Sequence, residues 1–244
     1  MTEQTQTQTL VEHLIELRRR LMWVAGVTLV AFFAAMPFAQ KLYTFVARPL
    51  MGNLPQGTHM IATEVTAPFF VPVKVALMAA FLVTLPHTLY QVWAFVAPAL
   101  YKHEKRLIFP LVLSSLLLFA CGMAFAYFLV FPVVFKFLAG VTPAGVNMAT
   151  DIDKYLSFVL GMFVAFGAAF ETPVVVVLLH RMGVVDLQTL KAARPYVIVG
   201  AFIVAAVITP PDVVSQFLLA MPLIVLYELG ILFARFFKPV ANED

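Results

Sequence analysis

The chain has 244 residues, of which 62% are hydrophobic and only 12% are charged, and its mean hydropathy is +0.95. Soluble domains are nearer to about half apolar and about a quarter charged. The composition therefore excludes an ordinary soluble domain and predicts an all-α protein that crosses a membrane several times. The net charge of +3 is small, and we expect no nucleic-acid partner.

Several kinds of chemistry have no signal in the sequence. Cys121 is the only cysteine, so no intramolecular disulfide is expected. There is no cluster of metal ligands, no Gly-x-x-x-x-Gly-Lys-Ser/Thr loop and no Gly-x-Gly-x-x-Gly. We therefore expect no metal, no cofactor, no ATP-driven pump and no enzymatic activity. The polar N-terminus lacks a basic region followed by a cleavage site, so no removable signal peptide is expected.

The first predicted element is an amphipathic helix that runs into the first membrane span, residues 21–39. Residues 1–9 are polar and are expected to be disordered. Leucines then recur every three or four residues, at Leu10, Leu14, Leu17 and Leu21. Glu12 and Glu16 stand on the other side, ahead of three consecutive arginines. The simplest role of Glu16 is an i,i+4 pair with Arg20, worth about 0.2–0.5 kcal/mol.

Five further spans are predicted, at residues 73–96, 107–130, 155–179, 195–209 and 213–234. Residues 40–72 contain too many prolines and glycines for one span and favour short helices on the membrane surface. Pro86 is expected to kink the second span. The fifth span has only about 15 residues, roughly 22 Å, against a hydrocarbon core of about 30 Å. Such a short span favours local thinning of the bilayer or a docked partner helix.

The basic residues predict the orientation. Most lysines and arginines fall on the side that carries both termini and the connections around residues 102–106 and 180–194. By the positive-inside rule this side is cytoplasmic. No internal repeat is visible, which counts against the common secondary-transporter folds.

A polar, charged stretch, residues 91–106, separates the second and third spans. Pro98 ends the preceding helix, because the residue before a proline avoids the α region, and Glu104 is a lone carboxylate among basic residues. By itself such a glutamate would simply neutralise its neighbours. The spacing Phe95-x-x-Pro98-x-Leu100-x-x-x-Glu104, together with His13-Leu-Ile-Glu-Leu-Arg18, resembles the TatC family, the receptor subunit of the twin-arginine protein translocase. The resemblance covers about residues 10–236.

The resemblance implies that Glu16 and Glu104 bind the paired arginines of a signal peptide, with Arg18, Phe95 and Pro98 shaping the site. The chemistry agrees, since a planar guanidinium binds a carboxylate through two parallel hydrogen bonds. Two carboxylates at one membrane depth would suit two adjacent arginines.

Glu171 lies deep in the fourth span, where a charge costs at least about 2.5 kcal/mol. The motif Phe166-Gly-x-x-Phe170-Glu-x-Pro173 also resembles the family, which implicates this glutamate in transport. Two interpretations remain open. Glu171 is either a neutral group bonded to a carbonyl that Pro173 frees, or a group that contacts water, a passing chain or a partner.

The outer ends of the spans carry further candidates. Asp212 follows Thr209-Pro-Pro and either caps the sixth span or serves function. The resemblance implies that single-span TatA- and TatB-type partners dock near Thr209 and Gln216. It also assigns Pro49 and Phe69 to a cap over the outer side; Phe69 with its neighbour is otherwise an interfacial anchor. The role of Glu228 stays open.

The sequence thus predicts one membrane domain, residues 1–244, with an N-terminal segment (1–20), a six-span core (21–234) and a tail (235–244). The resemblance implies a cupped arrangement of the six helices and cytoplasmic termini. It also implies a proton-motive-force-driven receptor in the bacterial cytoplasmic membrane, in contact with lipid, signal peptides, TatA- or TatB-type subunits and other copies of itself. The alternatives are a proton-coupled small-solute transporter using Glu171 and Asp212, and a passive scaffold.

Overall fold

The computed structural model describes residues 2–51, 60–96, 108–141, 150–208 and 213–237, and it is built from helices. They are, in chain order, α1 (Thr2–Ala35), α2 (Ala39–Met51), α3 (Ala67–Val96), α4 (Ile108–Phe125), α5 (Phe131–Val141), α6 (Ile152–Phe170), α7 (Thr172–Arg181), α8 (Leu187–Ala192), α9 (Arg194–Ile208) and α10 (Val213–Ala234). A 3₁₀ turn, Met36–Phe38, joins α1 to α2, and a π-helical turn, Ala126–Val130, joins α4 to α5.

The described residues contain five stretches that are long and apolar enough to cross a membrane. These are Val11–Arg48, Ala67–Phe95, Phe109–Phe137, Ile152–Arg181 and Val213–Ala234. The fifth predicted span, α9, has 15 residues and is roughly 22 Å long. The prediction of an all-α, multi-pass membrane protein is therefore confirmed, and the part of the fifth span that the structure describes is as short as expected.

Two predicted boundaries differ from the structure. The prediction that residues 1–9 are disordered is wrong, because α1 begins at Thr2. No proline or glycine interrupts that stretch, and extending an existing helix costs far less than nucleating one. Helix α3 begins at Ala67 rather than at residue 73. Pro68 is favourable in its first turn, where a missing amide hydrogen costs nothing.

The chain forms two compact units, and the first consists of residues 1–42 and 72–116. Within it α1 lies antiparallel to α3, since His13, Arg20 and Thr28 along α1 contact Phe95, Gln91 and Thr84 in turn. The Thr28 and Thr84 hydroxyl oxygens are 3.1 Å apart. The Thr84 hydroxyl donates to the Ala80 carbonyl at 2.9 Å, so Thr28 is the donor between the two threonines.

The second unit consists of residues 43–71 and 117–244, and glycines let its helices approach closely. A Cβ added to Gly122 in α4 would lie 2.4 Å from the carbonyl oxygen of Phe166 in α6. A Cβ on Gly230 in α10 would lie 3.0 Å from the Cα of Pro173 in α7. Inside a membrane the hydrophobic effect does not drive helices together, so small residues at their crossings stabilise the contact through close packing. Phe131 and Phe166 are fully buried in this unit.

Asp151, in the same unit, joins the start of α6 to Thr63, which lies between α2 and α3. Its carboxylate caps α6 by accepting the amide hydrogens of Asp153 and Lys154 at 3.0 and 2.9 Å. It also accepts the amide and hydroxyl hydrogens of Thr63, at 3.0 and 2.5 Å. These bonds favour the charged form and lower the pKa of Asp151 to about 2. A backbone bridge between Ile61 and Asp151 runs alongside, so residues 61–63 are fastened to the start of α6.

Candidate functional site at the α1–α3 contact

Glu16, the first predicted arginine ligand, lies on the side of α1 that faces α3. Its Oε1 accepts two hydrogen bonds from Arg20, from Nε at 2.9 Å and from Nη2 at 2.6 Å. Nη1 of the same arginine donates to Oε1 of Gln91 in α3 at 3.0 Å. The Glu16 side chain is 38% exposed and that of Arg20 is 21% exposed. The expected i,i+4 pair is present, and Gln91, which no sequence pattern singled out, ties it to a second helix.

Phe95 belongs to the same contact. Its ring stacks on that of His13, with centroids 4.3 Å apart and planes at 21°. His13 and Arg20 are two turns apart on α1, and Phe95 and Gln91 are one turn apart on α3, so each pair shares a helix face. Arg18 is exposed and lies about 200° around the helix from Glu16. The structure therefore brings Glu16 and Phe95 to one end of the α1–α3 contact.

The other two predicted members of this site, Pro98 and Glu104, lie outside the described residues. Both helices that bracket them are described. The indole N–H of Trp93, near the end of α3, donates to the Ser115 hydroxyl of α4 at 2.8 Å. Trp93 is 5% exposed and Ser115 is 0% exposed. Since Gln91 and Phe95 contact α1, while Trp93 lies half a turn away and bonds α4, the end of α3 is held on two sides.

Glu171 lies at a junction between two helices. It ends α6 and precedes α7, and Pro173 stands in the first turn of α7. A proline at this position cannot bond the carbonyl of Ala169, four residues earlier. That carbonyl accepts the Thr172 hydroxyl hydrogen at 2.7 Å and the backbone N–H of Glu171. The carbonyl freed by Pro173 is thus served by a threonine and an amide, which the sequence interpretation did not foresee.

An apolar groove of about 550 Å³ lies beside this junction in the second unit. Its lining includes Phe125, Phe170, Phe217, Met221 and Pro222. The groove adjoins the residue that precedes Glu171. Its lining offers packing surface and no charge.

Gln216, predicted to contact partner helices, makes a contact inside the chain. Its Nε2 donates to the Phe202 carbonyl of α9 at 3.2 Å, and the Phe202 and Phe217 rings lie 6.1 Å apart. Gln216 therefore joins α9 to α10. The predicted candidates Thr209 and Asp212 lie outside the described residues.

The structure answers the question left open for Glu228. Its Oε2 accepts a hydrogen bond from Nη2 of Arg194 at 2.7 Å, and the two side chains are 44% and 41% exposed. Nearby, the Tyr227 hydroxyl donates to the Leu190 carbonyl at 2.8 Å. Glu228 pairs with the first residue of α9, and together these bonds join α8, α9 and α10.

The predicted outer-cap residues lie in α2 and at the start of α3. Phe69 is 67% exposed and packs edge-on against Phe70, with centroids 5.3 Å apart. Pro49 lies in the last turn of α2. Two tyrosine hydroxyls donate to carbonyls of α2, Tyr127 to Phe45 at 3.1 Å and Tyr155 to Val46 at 3.0 Å.

The helices define a multi-pass membrane protein with a carboxylate–guanidinium pair at one end of its α1–α3 contact. The sequence profile of the "Sec-independent protein translocase protein (TatC)" family matches residues 12–222. TatC of Escherichia coli K12 is 54% identical over 231 residues, which are 95% of this chain and 90% of the relative. TatC of Haemophilus influenzae Rd is 48% identical over 244 residues, 100% of this chain and 95% of the relative.

The chain is also similar to a solved structure, "Crystal Structure of Twin Arginine Translocase Receptor- TatC". The TM-score is 0.82 and the sequence identity 41%, over 92% of this chain and 98% of that one. The chain belongs to the TatC family.

Proposed function

We propose that this chain is the receptor and core subunit of a Sec-independent translocase, and that it binds the twin-arginine signal peptides of folded cargo at the inner face of the bacterial cytoplasmic membrane. Its TatC relatives are named as Sec-independent translocase proteins, and the similar solved structure is titled a twin-arginine translocase receptor. In this proposal transport draws on the proton motive force, and the protein has no enzymatic activity.

The observation that carries the proposal is that Glu16 already holds a guanidinium. Arg20 directs two N–H groups at Oε1, and Gln91 restrains that arginine. A carboxylate has two oxygens with about four lone-pair sites, so a second guanidinium can bind without displacing the first. Because Arg20 and α3 fix the carboxylate in advance, an incoming arginine loses less freedom on binding. Glu104 supplies the acceptor for the second arginine of the signal.

Glu16→Gln tests this site, and Glu12→Gln is a matched control one turn away on an exposed position. A hydrogen bond to a charged group is worth about 1.5–3 kcal/mol, so a twin-arginine peptide should bind Glu16→Gln at least tenfold more weakly than it binds the wild-type protein. Glu12→Gln should bind like the wild type. Equal binding by the two variants would remove Glu16 from the site.

We further propose that TatA- and TatB-type single-span subunits dock beside α9 and α10, around Thr209 and Gln216. An amide side chain has two donors and one acceptor oxygen, and the bond to Phe202 uses one donor. The short α9 makes an adjacent partner helix favourable. Gln216→Leu should reduce co-purification of such subunits, and an unchanged yield would contradict this part of the proposal.

A proton-coupled small-solute transporter is the second candidate, and the placement of Glu171 at a helix break favours it, because broken helices often line transport sites. An export reporter with Arg-Arg or Lys-Lys in its signal separates the two functions. A signal receptor should export only the Arg-Arg form, whereas a solute transporter gives no reason for any difference. Glu171→Gln with full export would show that the charge of Glu171 is not needed.

A further inference from the structure

The two tyrosine hydroxyls that donate to α2 bond to carbonyls that differ in whether residue i+4 of the helix has an amide hydrogen. In an α-helix the carbonyl of residue i accepts the amide hydrogen of residue i+4. For Val46 that residue is Leu50, which has an amide hydrogen. For Phe45 it is Pro49, which has none. Pro49 therefore leaves the Phe45 carbonyl without its helical donor, and the Tyr127 hydroxyl lies 3.1 Å from that oxygen.

Tyr127 is held over Phe45 by its ring as well as by its hydroxyl. The two rings are parallel within 5°, with centroids 5.0 Å apart, and the Phe163 ring of α6 stacks on the Tyr127 ring at 6.4 Å. Tyr127 stands in the π-helical turn Ala126–Val130. Such turns insert an extra residue into a helix and change the direction of the side chains they carry.

We propose that Tyr127 is a positioning residue for α2, and that its hydroxyl replaces the amide hydrogen that Pro49 lacks. Pro49 leaves the Phe45 carbonyl without an amide donor. The Tyr127 hydroxyl donates to this carbonyl and so holds the end of α2 against the π-helical turn. The bond is exposed, but Phe45 lies within the apolar stretch Val11–Arg48, and lipid offers a carbonyl no donor, so losing the hydroxyl there is costly. The Tyr127 hydroxyl should therefore lose its importance when residue 49 has an amide hydrogen.

The chain contains a second carbonyl that a proline deprives of its amide donor and that a side-chain hydroxyl serves instead. Pro173 frees the Ala169 carbonyl, and the Thr172 hydroxyl donates to it at 2.7 Å. There the donor is a neighbour in sequence. At Pro49 the donor comes from residue 127, so the bond joins two separate elements of the unit.

A double-mutant cycle in the full-length protein tests the proposal. Tyr127→Phe keeps the ring and removes the hydroxyl, and it should lower the thermal midpoint by about 2–4 °C for a chain of this size. Pro49→Ala restores the amide hydrogen at residue 49. In that background Tyr127→Phe should have no effect, because the helix itself then serves the Phe45 carbonyl.

Tyr155→Phe is the matched control. Its hydroxyl donates to Val46, whose helical donor does not change with residue 49, so its effect should be the same in the wild-type and in the Pro49→Ala background. If the two tyrosine variants show equal coupling to residue 49, or if Tyr127→Phe costs the same in each background, the proposal is overturned. Should Pro49→Ala fold poorly, Pro49→Leu also restores the amide hydrogen and completes the cycle. None of these measurements depends on signal-peptide binding, so their outcome is separate from that of the proposed function.

Discussion

Replacing Gly122 by alanine tests the packing between α4 and α6 most sharply. The new Cβ would lie 2.4 Å from the Phe166 carbonyl oxygen and 3.0 Å from Cγ of Phe170, whereas ordinary contact begins near 3.4 Å. The two helices would have to separate locally by about 3.4 − 2.4 = 1.0 Å, since a backbone carbonyl cannot rotate out of the way. Overpacking of this kind costs about 1–3 kcal/mol.

Gly161→Ala is the control, because a Cβ at Gly161 in α6 meets nothing within 4 Å. Each variant gains about 0.8–1 kcal/mol from the higher helix propensity of alanine, so this gain cancels when the two are compared. The remaining difference of about 1–3 kcal/mol corresponds to a gap of about 2–12 °C between their thermal midpoints. Thermal unfolding in detergent, followed by circular dichroism, measures that gap. Equal midpoints would refute the close α4–α6 approach.

Three further predictions concern single hydrogen-bonding groups. Ser115→Ala leaves the buried indole N–H of Trp93 without its acceptor and should lower the free energy of unfolding by about 1–3 kcal/mol. The control Ser114→Ala should change it by no more than about 0.5 kcal/mol. Denaturant titration measures both. Asp151→Asn should lower the thermal midpoint at pH 7. Because the folded pKa of about 2 lies below the ordinary aspartate value of 3.8, the advantage of the carboxylate should persist above pH 3.8 and disappear as the pH falls towards 2. Glu228→Gln should cost no more than about 1 kcal/mol in the same titration, since both side chains are more than 40% exposed.

Each of these predictions has a contradicting result. Equal stabilities of the two serine variants would remove the indole bond from the account. A gap between Asp151→Asn and the wild type that is as large at pH 2 as at pH 7 would show that the carboxylate bonds to Thr63 do not stabilise the fold. A loss of several kcal/mol in Glu228→Gln would mean that its pair with Arg194 is far less exposed than the structure indicates.

The spans and the Glu16–Arg20 pair could be predicted because they depend on local patterns. Hydropathy over about 20 residues identifies a span, and a separation of four residues places two side chains on one helix face. The break at Glu171 also had a local signal in Pro173. The helix at residues 2–9 is not predicted, because a polar composition favours disorder, although nothing in that stretch stops a helix.

The contacts between helices could not be predicted in the same way. The bonds from Arg20 to Gln91, from Trp93 to Ser115 and from Tyr127 to Phe45 depend on how each helix is rotated about its axis, and no short pattern fixes that rotation. One signal was available, since a proline near the end of a helix implies a carbonyl in need of a donor. The sequence does not say which distant residue supplies it.

The central claim of the proposed function is that the carboxylates of Glu16, in α1, and of Glu104, in the α3–α4 connection, bind the paired arginines of a signal peptide. Site-specific photo-crosslinking from residues 97–106 of the full-length protein in membranes tests it most directly, with otherwise identical signal peptides carrying Arg-Arg or Lys-Lys. Lysine keeps the charge but cannot form the bidentate bond, so the account predicts strong crosslinks to Arg-Arg and a large loss with Lys-Lys. It also predicts the same loss for Arg-Arg in Glu104→Ala. Equal crosslinking of the two peptides would contradict the account.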